Sequence, residues 1–158
     1  MMTALSIVSN PADKILDSGW VLDRRPIGSL WVGSKLALEM DFLTKHQITT
    51  IISLCPTEEI FPPHIAQFKY DIDDDVTHNN RMLKILPEML ENIHYERLRG
   101  HNVLIHCRAG MQRAPTVTTM YLEKYYYNDR IKEIIKKIRN NRPIAFSNGY
   151  TFKKVLFP

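Results

Sequence analysis

Cys107 and Arg113 are separated by five residues with Gly110 between them, in the stretch Val103-Leu-Ile-His-Cys-Arg-Ala-Gly-Met-Gln-Arg-Ala-Pro-Thr116. A cysteine attacks as its thiolate, and the planar fork of an arginine grips two oxygens of one phosphate. Arg108, Ala109, Gly110, Met111, Gln112 and Arg113 supply six consecutive peptides whose N–H groups can curl around a single oxyanion. Gly110 gives that curl access to φ values other residues resist. Pro115 fits the first turn of a helix, which would aim its partial positive charge at the same point and favour the thiolate. The expected chemistry is therefore nucleophilic attack by Cys107 on a phosphate held by the 108–113 loop. His106 precedes the cysteine on a strand-like run, so its side chain should leave the opposite face and take a supporting role, bonding or orienting the loop. A lone cysteine would more simply be a small buried hydrophobe, with Arg113 solvated at a helix start. The histidine, the spacing, the glycine and the flanking strand and helix together outweigh that alternative.

A thiolate displacing a phosphate ester also needs an acid to protonate the departing oxygen. Asp73, Asp74 and Asp75 offer candidates, directly after the alternating Phe68, Tyr70 and Ile72 of a strand. Taken alone, such an acidic run reads as a solvated loop.

Several elements must position these groups. Residues 103–105 look like a buried strand, and residues 116–127, free of glycine and proline, look helical. Leu30-Trp-Val-Gly33 reads as a strand, Ser34 as the cap of a helix reaching about His46 with Leu36, Met40 and Leu43 inward, and residues 48–54 as a second buried strand. Pro56 and Pro62-Pro63 break the chain into a loop. Pro87 fits the first turn of a helix carrying Met89, Leu90 and Ile93 and ending before Gly100. Asn128-Asp129 opens another, with Ile131, Ile134, Ile135 and Ile138 inward and Lys132, Lys136, Lys137 and Arg139 outward and solvated. Asn10-Pro11 suggests a short helix near residues 12–16. The alternation predicts an α/β fold, a central, mostly parallel sheet of about four to five strands flanked by helices.

The 158 residues, 44% hydrophobic, suffice for one domain with a sizeable core. Two cysteines, Cys55 and Cys107, do not make a disulfide framework, and no apolar run is long enough to span a membrane, so a soluble intracellular (cytoplasmic) protein is expected. The net charge of +4 favours anionic partners. No zinc spacing, RNA-binding aromatic signature or basic run of five accompanies it, so no stable nucleic acid complex is expected.

His106-Cys107-Arg108-Ala109-Gly110-Met111-Gln112-Arg113 resembles the His-Cys-x5-Arg signature of cysteine-dependent protein phosphatases, and the continuation Ala114-Pro115-Thr116, with Tyr121-Leu122, is similar to the dual-specificity branch. Ser29-Leu-Trp-Val-Gly-Ser34, Leu43, Gln47-Ile-Thr-Thr-Ile-Ile-Ser-Leu54, Asn79, Leu86-Pro87-Glu88, Arg142-Pro143-Ile144, Asn148 and Phe152 extend the resemblance to about Leu156. It begins near residue 26 and implies a catalytic domain of the cysteine-dependent phosphatase fold over 26–158; the mixed polarity of the residues before it reads as an N-terminal extension over 1–25, which could pack on the domain, form a homodimer or be a loosely ordered terminus. The resemblance also implies hydrolysis of phosphotyrosine, and by extension phosphoserine and phosphothreonine, in proteins through a cysteinyl-phosphate, without metal or other cofactor. The general acid of the family lies about thirty residues before the cysteine and two beyond the last apolar residue of a strand, which is Asp74, with Asp75 in reserve. Arg113-Ala114-Pro115 resembles the phosphatase-of-regenerating-liver branch. Most relatives have Ser or Thr where Ala114 stands, and its loss implies slow breakdown of the intermediate. The readings set against this one are a phosphoprotein-binding module with little turnover, and a phosphatase for RNA 5′ ends or phosphoinositides. Met111 and Gln112 are unusual choices, expected to line the mouth of the pocket. Cys55 ends a strand expected beside that of Cys107, where it could capture the oxidised nucleophile as a disulfide.

Overall fold

The computed structural model describes residues 10–20 and 25–158; residues 1–9 and 21–24 of the expected N-terminal extension lie outside the described residues. The strands are β1 (Ala12–Leu16), the two-residue pair β2 (Gly19–Trp20) and β3 (Pro26–Ile27), β4 (Leu30–Gly33), β5 (Ile48–Ser53), β6 (Ala66–Lys69) and β7 (Asn102–His106). Five of them form one sheet in the order β1-β4-β7-β5-β6. The four strands from β4 to β6 are parallel, and β1 runs antiparallel along the outer edge of β4. The central place of β7 follows from its sequence: a strand flanked on both edges and both faces must be apolar throughout. Val103, Leu104 and Ile105 are fully buried.

Side chains alternate between the two faces of the sheet as strand geometry requires. Leu30, Val32, Ile52, Val103 and Ile105 enter the larger core, together with α2 (Asn79–Leu98), α3 (Arg113–Tyr125), α4 (Ile131–Asn141) and α5 (Lys153–Leu156). Trp31, Ile51 and Leu104 enter a smaller core on the other face, closed by Ala37, Leu38 and Leu43. Cys107 belongs to the larger core and His106 follows Ile105 onto the opposite face. No helix among the described residues is long and apolar enough to cross a membrane.

Three expectations about elements are corrected. Residues 12–16 form a strand instead of a helix: five residues are too few for a stable isolated helix, and the open edge of β4 offers them a ladder. The helix expected over 35–46 is a 3₁₀ turn, Lys35–Leu38, followed by α1 (Met40–Lys45), because Glu39 is extended at ψ 140°. Leu36 and Met40 consequently face solvent, and Leu43 alone of the three reaches the core. Pro87 lies inside α2 instead of in its first turn. Its missing N–H frees the Leu83 carbonyl, but Leu83 is exposed to water, and Met82, Leu86, Met89, Leu90 and Ile93 bury one continuous face on both sides of it.

Candidate active site

The loop between β7 and α3 is polarised. Every carbonyl from Arg108 to Gln112 accepts a hydrogen bond from outside the 108–112 turn. Lys35 N donates to Arg108 O at 3.1 Å, Phe146 N to Met111 O at 2.9 Å and Thr116 N to Gln112 O at 2.9 Å. The Arg142 guanidinium donates to Gly110 O at 3.0 Å and Ala109 O at 3.3 Å. The amides of residues 108–112, by contrast, donate to no acceptor among the described residues. A curled loop with its carbonyls pulled outward leaves its N–H groups free to turn inward, an arrangement that can cradle an anion. Gly110 sits at φ +68°, and a Cβ there would lie 2.5 Å from Arg142 Nη2 and 2.7 Å from the Gly33 backbone. Only glycine meets both demands.

Cys107 is held at the base of this cradle. Its amide donates to Gly33 O at 3.3 Å, and its Sγ accepts from Ala114 N at 3.4 Å. Ala114 is the second residue of α3, and Gln112, the cap position, supplies no side-chain cap. One of the unpaired first-turn amides of the helix thus points at the sulfur, and the helix dipole adds to it. His106 is fully buried behind the loop. Its Nε2 meets Ser53 Oγ at 2.6 Å, and its Nδ1 lies 3.3 Å from Cys107 O and 3.9 Å from Cys55 Sγ. Burial pushes its pKa down to about 4, so the ring is neutral near pH 7.

Arg113 is buried and only partly satisfied. Nη1 donates to Leu54 O at 3.1 Å and Ile72 O at 2.9 Å, while Nε has no partner among the described residues. The guanidinium is therefore pinned along one edge with a donor left over, the geometry a forked oxyanion contact requires. Arg113 and Arg108 line a cavity of about 560 Å³ with Lys35, Cys55, Pro56, Asp73 and Asp74. The three aspartates differ in their engagements. Asp75 caps the short 3₁₀ turn Val76–His78, accepting from Thr77 N and Oγ1 at 2.8 Å each, and the Thr77 amide first, then the hydroxyl, hold its carboxyl below the usual range. Asp73 lies 3.5 Å from His78 Nε2. Asp74 reaches the cavity with no hydrogen bond or ion pair among the described residues.

Some contributors were not legible in the sequence. Lys35, read only as the start of a helix, lines the cavity and bonds the loop. Arg142 is fully buried; Nη1 also donates to Asn10 O and to Asp13 Oδ2, both at 2.8 Å, so β1 braces the loop through it. Arg142-Pro143-Ile144 entered the sequence reading only as part of the resemblance, with no role for the arginine. Gln112 corrects an expectation: it is 3% exposed and does not line the mouth. Its Nε2 donates to Asn148 Oδ1 and Gly149 O at 2.6 Å, and its Oε1 accepts from Thr151 N at 3.0 Å. Cys55 does lie beside β7, as β5 pairs with β7 in parallel, and it lines the cavity as a free thiol. Burial raises its pKa, so the neutral thiol is favoured.

Residues 30–157 match the family model described as the dual specificity phosphatase, catalytic domain. The chain belongs to the dual specificity phosphatase family. Human dual specificity protein phosphatase 15 is 30% identical over 120 residues, which are 75% of this chain and 40% of that protein. Rat dual specificity protein phosphatase 5 is 29% identical over 146 residues, 91% of this chain and 36% of that protein. The dual specificity phosphatase domain described here thus spans well under half the length of these curated relatives. The crystal structure of DUSP15 superposes with a TM-score of 0.67 at 26% identity, over 80% of each chain. That of a human tyrosine phosphatase-like serine/threonine/tyrosine-interacting protein reaches 0.76 at 20% identity over 92% of each, which shows a shared fold.

Proposed function

We propose that this chain is a cysteine-dependent protein phosphatase that hydrolyses phosphotyrosine, and phosphoserine or phosphothreonine, through a cysteinyl-phosphate. The observation that carries it is the one-sided bonding of the 108–112 loop, with carbonyls engaged and amides unengaged around Cys107. The phosphoryl group lies in the amide cradle with two oxygens on the free edge of Arg113, which neutralises charge as it develops. The Cys107 thiolate attacks phosphorus while Asp74 protonates the leaving oxygen; the P–O bond breaks as the S–P bond forms. Asp74, now a carboxylate, takes a proton from water. The water oxygen bonds to phosphorus, the thiolate departs, and inorganic phosphate is released. Asp74 suits both roles because neither a cap nor a cation among the described residues holds its carboxyl, whereas Asp75 is occupied at Thr77. Neutral His106 is assigned a supporting role at the back of the loop, joined to Ser53 and the Cys107 carbonyl.

The test is phosphate release from an aryl phosphate and a phosphotyrosine peptide, with chelator present, by the parent, Cys107→Ser and Asp74→Asn. Parent turnover that persists in chelator, vanishes in the serine variant and falls steeply in the asparagine variant is the expected result. A parent that binds the phosphopeptide without releasing phosphate would make the domain a phosphoprotein-binding module instead.

A further inference from the structure

Along α4 the sequence places Lys132, Lys136 and Arg139 on one stripe, at i, i+4 and i+7. Cations so spaced would ordinarily be a solvated face. Here they line a concavity of about 470 Å³ together with Ile135, Asn140, Pro143 and Tyr150. Their neighbour Lys137 is 3.9 Å from Asp129 and lies over the Tyr127 ring, whereas the three lining cations form no ion pair among the described residues. The groove's lining is joined along the chain to residues that hold the outer side of the catalytic loop. Pro143 follows Arg142, whose guanidinium holds Gly110 O and Ala109 O, and Tyr150 stands between Gly149 and Thr151, both bonded to Gln112.

We propose that this groove binds an acidic segment of the phosphoprotein substrate that flanks its phosphorylated residue. The inference rests on the phosphatase reading above. From Lys132 to Arg139 the helix rises about 10 Å, the reach of roughly three extended peptide residues. The cations would pair with Asp or Glu side chains, and Ile135 and Pro143 would take the methylenes or an apolar residue between them. A peptide fits this better than the other polyanions. Tyr150 is the one aromatic lining residue, too few to stack successive bases. None of the exposed large hydrophobic side chains among the described residues lines the groove, so it offers a lipid surface little to bury.

Two phosphotyrosine peptides, identical except for a flanking Glu-Glu-Glu or Gln-Gln-Gln, test the inference against the parent and a Lys132→Gln/Lys136→Gln/Arg139→Gln variant. Equilibrium binding is measured in the Cys107→Ser background, so the comparison stands even if the parent releases no phosphate. The acidic peptide is expected to bind about tenfold tighter than the neutral one at low salt. That preference should disappear in the triple variant and fade at high salt, with KM following it and kcat unchanged. Aryl phosphate turnover should be the same with and without the triple substitution. Equal binding of the two peptides by the parent, or an undiminished preference in the triple variant, would overturn the proposal. So would loss of binding to single-stranded RNA or phosphatidylserine vesicles in the triple variant without loss of the peptide preference. Failure of the parent on aryl phosphate and both peptides would count against the phosphatase reading alone.

Discussion

The two sides of the 108–113 loop are built from the same peptides and behave oppositely. On the outer side the Arg108 to Gln112 carbonyls are all engaged, and Arg142 uses Nε, Nη1 and Nη2 on Gly110, Asn10, Asp13 and Ala109. On the inner side the amides of residues 108–112 and Arg113 Nε have no partner among the described residues. Both arginines are buried, at 0% and 8% exposure, so burial does not distinguish scaffold from site. The difference lies in hydrogen-bond satisfaction: a buried donor left open costs stability unless a ligand takes it, whereas a fully engaged one fixes geometry.

Arg113→Lys breaks the open side. It should lower turnover on an aryl phosphate by on the order of 10³-fold, about 4 kcal/mol of transition-state stabilisation, because an ammonium cannot grip two oxygens at once. Thermal unfolding should move far less than turnover; a comparable loss of stability would blur the contrast. Arg142→Met breaks the engaged side, stranding Asp13 and the loop carbonyls. It should reduce denaturant-measured stability by about 3 kcal/mol and take activity down with it, whereas a variant that folds normally would show that Arg142 is dispensable as a brace.

His106 tests the engaged side by pH. Its folded pKa of about 4 lies below the ordinary 6.5, so between those values the unfolded chain binds the proton and the folded one does not. Stability should therefore fall by up to about 3 kcal/mol as pH drops from about 6.5 to about 4, and His106→Asn should flatten that part of the profile. A wild-type profile without such a slope would contradict the neutral, buried ring.

Smaller changes sharpen the comparison. Ala114→Ser adds a hydroxyl where the amide already donates to Cys107 Sγ. We expect turnover to rise by up to about tenfold, the worth of one hydrogen bond of about 1.4 kcal/mol to the departing thiolate, and unchanged or slower turnover would remove that role. Thr116 Oγ1 is also buried without a partner among the described residues, yet Thr116 does not line the cavity. Thr116→Val should raise stability by about 0.5–1 kcal/mol and leave kcat alone. A loss of turnover would mean that this unpartnered atom, too, belongs to the site.

The sequence by itself determined the fold class and the stretch that forms the cradle. The apolar runs read as strands at 48–54 and 103–105, which fold as 48–53 and 102–106, the glycine and the Cys-x5-Arg spacing are local signals, each complete within a few residues. Period-two alternation was enough to send His106 and Cys107 to opposite faces. Tertiary structure decided what local signals could not carry. Residues 12–16 became a strand because an edge of β4 was open to them. Gln112 turned from the mouth because Asn148, Gly149 and Thr151 met it. The loop carbonyls found donors in Lys35, Arg142 and Phe146, and Arg142 in turn met Asp13 across 129 positions of chain. Hydrogen bonds over such separations depend on where folding brings the partners, and no periodicity or propensity near either residue encodes them.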